Sequence, residues 1–233
     1  MNYGDIERQT FRTFLAFAMF ILIGVVVFFN LTTNLYRVSN INYDDSLDLN
    51  FATLENLRGT SIWLIDDTYF DRFYTHNPSV EKISIKKELP NTLLVNIVIS
   101  ENLAYVQDNR QSPPKTFIIH KNLYTRDVST NEGLMTIKIN NGPVKEGFNE
   151  EIVTFVMTLK KYTINLKNIE LRFDGEKVEV SHINTEFDLG SPYDLARKAA
   201  VLGYYISDQP CEGEVKLVYS EDGSEIRAVT NCN

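Results

Sequence analysis

The chain has 233 residues, enough for one or two domains, and its composition of 43% hydrophobic and 23% charged residues with 11 Gly and 7 Pro excludes a disordered or fibrous polymer. A net charge of −8 and a pI near 5.0 exclude the nucleic-acid-binding class, because neutralising phosphates requires a basic footprint. The mean hydropathy of −0.19 is that of a soluble chain, but a mean can conceal one very apolar stretch.

That stretch is at the start. From Phe14 to Phe29 the sequence reads FLAFAMFILIGVVVFF, and no charge occurs between Arg12 and Arg37. Thr13 to Leu31 as a helix spans roughly 28 Å, against roughly 30 Å for the hydrocarbon core of a bilayer. A buried core helix would be shorter and would carry a polar face. A cleaved signal peptide is the rival reading, but NLTTNLYR offers no A-x-A-like cleavage pattern. The expectation is a transmembrane helix over 13–34 after a head of residues 1–12. Arg8, Arg12 and the amino terminus on one flank against Arg37 on the other give a weak positive-inside bias, which puts the head in the cytoplasm and residues 38–233 outside. The exported part carries 20 basic and 29 acidic residues, a net of −9.

Behind the span, Val38 to Tyr43 can form a short strand, and Phe51, Leu54 and Leu57 line one helix face closed by Gly59. Asp66-Asp67-Thr68 can cap a second short helix running to about Phe73. Val80 to Leu89 alternates at Ile83 and Ile85, Pro90-Asn91 turns the chain, and Val95, Ile97 and Ile99 alternate on the return. The order is strand, helix, helix, strand, strand.

From Ala104 onward strands dominate: Thr116 to His120, Met135 to Ile139, Lys167 to Phe173, Lys177 to Val180 and a final hairpin. Two helices interrupt them. One spans Phe148 to Tyr162 with positions 148, 152, 155, 156 and 159 on one face; the other starts at Ser191-Pro192, with Ser as N-cap and Pro at the first helical position, and presents Leu195, Ala199, Leu202 and Ile206. Asp174-Gly175 and Asp222-Gly223 are hairpin turn signals. In a two-residue-loop register the second turn sets Cys232 opposite Gly213, with Cys211 diagonal to it. A diagonal separation is slightly long for an unstrained bridge, so a Cys211–Cys232 disulfide and two free thiols both stay open.

No catalytic constellation is visible. His76, His120 and His182 are too dispersed for a metal motif, Asp44-Asp45 and Asp66-Asp67 sit at turn or cap positions, and there is neither a G-x-S-x-G elbow nor a Gly-rich phosphate loop. Neither a metal nor a cofactor is expected. The terminal strand, Glu225 to Thr230, ends three residues from the end of the sequence; an earlier strand covers its outer side, or it is an open edge to which a partner segment can add.

These residues resemble a known family. Gly59-Thr-Ser-Ile62-Trp-Leu-Ile65-Asp66, then Pro78, Val80, Pro90 and Glu101, follow the pattern of the POTRA domain of the bacterial division proteins FtsQ and DivIB, and Phe187-Asp188-Leu189-Gly190 with Glu214 to Tyr219 is similar to that family's run into its closing hairpin. Asp44-Asp45 stands where the family usually has Gly, and Asn102 and Ala104 stand where it has a basic residue and a proline. The resemblance implies an α+β chain: a single N-terminal transmembrane helix, a POTRA-like domain (β-α-α-β-β) over 36–105, and a mostly antiparallel β domain with two helices over 106–233. It implies a non-enzymatic divisome scaffold in the cell membrane at the division septum. The implied partners are FtsL and FtsB/DivIC-like single-pass proteins, with the septal peptidoglycan synthase complex downstream. Partner contacts would fall on Tyr219, Glu225, Ile226, Arg227, Ala228 and Val229, with Arg227 suited to an acidic partner residue. A membrane-anchored envelope enzyme and a POTRA-type chaperone binding peptides along its own edge are the alternatives.

Overall fold

The computed structural model describes residues 3–32, 34–162, 164–208, 212–220, 223 and 225–232. The chain divides into two compact units, Met1–Ile99 and Ser100–Asn233.

The first unit opens with α1 (Tyr3–Thr32). Its stretch Phe11–Phe29 has a mean hydropathy of 2.4 and none of it is buried, so this helix is long and apolar enough to cross a membrane. It begins well before the expected position 13, because Ile6 to Gln9 are compatible with a helix and no Gly or Pro stops it after Gly4. It ends at Thr32, and Asn34–Tyr36 already form a 3-10 turn. There follow β1 (Asn40–Asn42), α2 (Ala52–Glu55), α3 (Asp71–His76), β2 (Val80–Glu88) and β3 (Thr92–Ile99), in the expected order. The three strands form a sheet of order β1-β3-β2, with β1 parallel and β2 antiparallel to β3. Asp66 accepts a hydrogen bond from the Thr68 N–H at 3.0 Å and opens a 3-10 turn that runs into α3, three residues beyond the expected end. Buried Asn77 closes that helix, donating to Phe73 O at 3.0 Å and accepting from the Asn50 N–H at 2.7 Å. Leu54, Leu57, Ile62, Ile65, Phe70 and Phe73 pack on Leu93 and Val95 of the sheet.

The second unit contains β4 (Asn102–Asp108), β5 (Lys115–His120), β6 (Thr125–Asp127), β7 (Met135–Ile139), α4 (Phe148–Leu159), β8 (Ile169–Phe173), β9 (Val178–His182), β10 (Thr185–Gly190), α5 (Leu195–Asp208), β11 (Gly213–Tyr219) and β12 (Ile226–Cys232). All its strands join one sheet of order β12-β11-β10-β9-β8-β7-β4-β5-β6. Antiparallel pairs outnumber parallel ones, as expected, but β4/β7, β7/β8 and β10/β11 are parallel. The last two are joined by crossovers through α4 and α5, the connection that a parallel neighbour demands. Phe148, Ile152, Phe155, Val156 and Leu159 of α4 are buried, the face read from the sequence, together with Leu195, Ala199 and Leu202 of α5. The opposite sheet face carries ion pairs such as Arg172–Glu186 at 2.6 Å and Lys138–Glu170 at 2.8 Å.

Two expected boundaries move. The domain limit at 105/106 runs through β4, whose partners β5 and β7 both lie in the second unit, so the division falls after Ile99. The helix expected from Ser191 starts at Leu195, because Asp194 takes a left-handed conformation (φ 56°). The Leu195 N–H is capped instead from the neighbouring helix, donating to Glu151 Oε2 at 2.9 Å.

Candidate functional site

The terminal hairpin adopts the register read from its turn. Gly213 faces Cys232, Leu217 faces Ala228 and Tyr219 faces Ile226. Of the turn, Glu221, Asp222 and Ser224 lie outside the described residues; Gly223 has φ 69°, the conformation for which a Gly is favoured there, and donates its N–H to Ser220 O at 2.8 Å. Cys232 is disulfide-bonded, and among the described residues no cysteine is free. The only other cysteine in the sequence, Cys211, lies outside the described residues.

β12 ends the sheet order: β11 pairs with it on one side and, among the described residues, no strand pairs with it on the other. The Ser220 N–H donates to Glu225 O at 3.0 Å, which makes 220/225 a hydrogen-bonded pair. By the alternation of an antiparallel ladder, 218/227 and 216/229 are hydrogen-bonded too. The backbone N–H and C=O groups of Ile226, Ala228 and Thr230 therefore point away from β11, toward the outer edge. Their side chains lie on the face shared with buried Val215 and Leu217, and Ile226 and Ala228 are half-buried against the helices. Arg227 and Val229 lie on the opposite face, Val229 58% exposed and Arg227 bound to Glu225 Oε2 at 3.3 Å in an exposed pair. The edge thus offers outward hydrogen-bonding groups flanked by one apolar side chain on the outer face and two on the inner.

Tyr219 belongs to β11, one strand in. Its hydroxyl donates to Asp194 Oδ2 at 3.3 Å, and the ammonium of Lys198 lies 5.5 Å from its ring centre. Burial, then the Asp194 carboxylate, raises its hydroxyl pKa above the usual tyrosine value. Lys198, which sequence reasoning did not single out, is 1% exposed and donates to Ser191 O at 2.6 Å; burial lowers its pKa. Together they tie the hairpin's inner strand to the start of α5. Its position beside Leu195 and Ala199 on the apolar face was the one signal in the sequence.

Elsewhere the second unit has a hollow of about 750 Å³, lined by the loops after β7, β8 and β10. Of its polar groups, Glu151 caps α5 and Lys145 lies against Tyr193. His76, His120 and His182 sit on separate elements, and among the described residues no group of His, Cys, Asp or Glu could hold a metal ion. No protein-family model and no curated protein matches the sequence.

Proposed function

We propose that the chain is a non-catalytic scaffold of the bacterial division machinery of the FtsQ/DivIB type. It is anchored by α1 with its head in the cytoplasm and residues 38–233 outside, and its first globular region is a POTRA-like module. It binds FtsL and FtsB/DivIC-like partners and so regulates septal peptidoglycan synthesis. One observation carries the reading: among the described residues β12 is an uncovered edge with outward backbone groups at Ile226, Ala228 and Thr230, the chemistry that lets a partner segment add as a further strand. The order β-α-α-β-β of the first unit supports the POTRA-like assignment. The β2 edge of the first sheet is a poorer receptor, because the Ile83 N–H already donates to the Tyr74 hydroxyl at 2.9 Å.

The test is capture of partners from membranes by the full-length protein, repeated with Ile226→Asp and with Ala228→Pro. Both substitutions should abolish capture of the single-pass division proteins while the helical and sheet content stays intact. If both variants retain every partner, the edge mechanism is wrong.

A further inference from the structure

Immediately after α1 the chain is stitched to the loop that follows α2. The Val38 N–H donates to Thr60 O at 2.9 Å, the Gly59 N–H to Val38 O at 2.8 Å and the Ile62 N–H to Tyr36 O at 2.8 Å, and Arg37 bridges Ser61 in antiparallel register. Ile62 and Ile65 turn into the core, 0% and 1% exposed, which leaves Trp63 and Leu64 between them facing outward at 44% and 56%. Leu35 is 57% exposed, and the Tyr36 ring lies 5.8 Å from that of Trp63. Exposed Leu35, Trp63 and Leu64, with half-buried Tyr36 beside Trp63, thus form one apolar and aromatic patch. α1 ends at Thr32, and three residues of chain reach at most about 11 Å. The patch is therefore held close to the point where α1 ends.

We propose that this patch docks on the bilayer itself, with Trp63 and Tyr36 in the interfacial layer and Leu35 and Leu64 dipping toward the acyl chains; the inference rests on α1 crossing a membrane. Amphipathic indole and phenol rings favour that layer because it is apolar on one side and wet on the other. The exposed guanidinium of Arg37, oriented by its bond to Gly59 O at 3.1 Å, stands beside the patch and suits lipid phosphates. Two backbone bonds at Val38 and one at Tyr36, on either side of Arg37, make the patch part of the fold, so docking would fix the tilt of the first globular region over the membrane.

Trp63 is the only tryptophan of the chain, so its fluorescence reports on this patch alone. The full-length protein is placed in vesicles of phosphatidylethanolamine and phosphatidylglycerol, with lipids brominated at shallow or at deep acyl positions. Docking requires stronger quenching by the shallow bromines than by the deep ones, together with protection from aqueous acrylamide. The double variant Leu35→Asp, Leu64→Asp, whose two sites are exposed and whose Trp63 is retained, should lose both effects. A wild-type Trp63 open to acrylamide and blind to brominated lipid overturns the docking, as does a double variant that behaves like wild type. Alkaline carbonate separates the two levels: release of the protein from the vesicles overturns the membrane-spanning reading and the docking with it, whereas retention with a water-exposed Trp63 overturns the docking alone.

Discussion

Asp108, at the end of β4, is 5% exposed and carries an ion pair that holds a loop to the sheet. Arg110 reaches it through Nε at 2.8 Å and Nη2 at 2.6 Å, and its remaining arm donates to Gly142 O at 3.0 Å. There Gly142 lies so close to Gly175 that a Cβ on it would overlap the Gly175 Cα. The Arg110 side chain holds the Asp108 carboxyl below the usual carboxylate range, against the opposing effect of burial. A depressed carboxylate pKa contributes stability that is present above the unfolded value near 3.9 and is lost as pH falls through the lower folded value. Asp108→Asn should therefore cost about 1–3 kcal/mol at neutral pH in chemical denaturation, and it should lose less stability than wild type as the pH is lowered below about 4. An unchanged acid profile would show that the pair is not coupled to folding. The Asp-x-Arg spacing is plain in the sequence, but nothing there says that the pair would be buried or would reach a glycine some thirty residues on. Lys198 is harder still to foresee, because its burial depends on the carbonyl of Ser191 and the ring of Tyr219, which only the fold brings together.

Among the elements, those legible in the sequence are the ones whose pattern is local. α4 shows its buried face at helical spacing, and the terminal hairpin shows alternation around an Asp-Gly turn, which determined the register of every pair from Gly213–Cys232 to Tyr219–Ile226. β6 is three polar residues, and β10 combines a short alternating run with a glycine end; both are strands because neighbours supply their hydrogen bonds. α5 starts late for the same reason, since its cap comes from Glu151 on another helix. The hairpin register carries a prediction that separates its two sides. The Ala228 N–H points outward, so Ala228→Pro removes a donor from the edge and should shift the unfolding free energy by only about 1 kcal/mol or less. The Val229 N–H points toward Lys216 of β11, and Val229→Pro should cost about 3 kcal/mol. Equal losses in guanidinium unfolding would mean that the ladder is out of phase with this assignment. The disulfide at Cys232 gives the hairpin a second check: protein purified without reductant and then denatured should show no titratable thiol.

At the scale of the whole molecule, the two units have separate hydrophobic cores, one built from residues between Tyr36 and Ile97 and the other from residues between Leu103 and Ala228. The near-neutral hydropathy of the chain is thus the average of an apolar helix and two acidic-rimmed cores. What the sequence misplaced is where the second core begins. NLAYVQD lacks a clear two-residue alternation because the register of β4 against β5 shifts between Asn102 and Ala104, which buries Leu103 and Ala104 in succession, and because the inward positions that follow, Ala104, Val106 and Asp108, end on a charged residue while the half-buried Tyr105 lies on the other face. The consequence can be measured with two fragments. A fragment of residues 100–233 keeps β4 whole, including the pairs Ala104–Ile119 and Tyr105–Ile118 on one side and Ala104–Met135 and Tyr105–Thr136 on the other. It should unfold in one cooperative transition under oxidising conditions. A fragment of residues 106–233 starts inside the strand and removes Leu103 and Ala104 from the core, leaving the facing groups of β5 and β7 without their partner in the middle of the sheet. That fragment should be insoluble or bind a hydrophobic dye in the manner of a loosely packed state. If the shorter fragment is as stable as the longer one, β4 is dispensable to the second core, and the division between the units lies where the sequence first suggested.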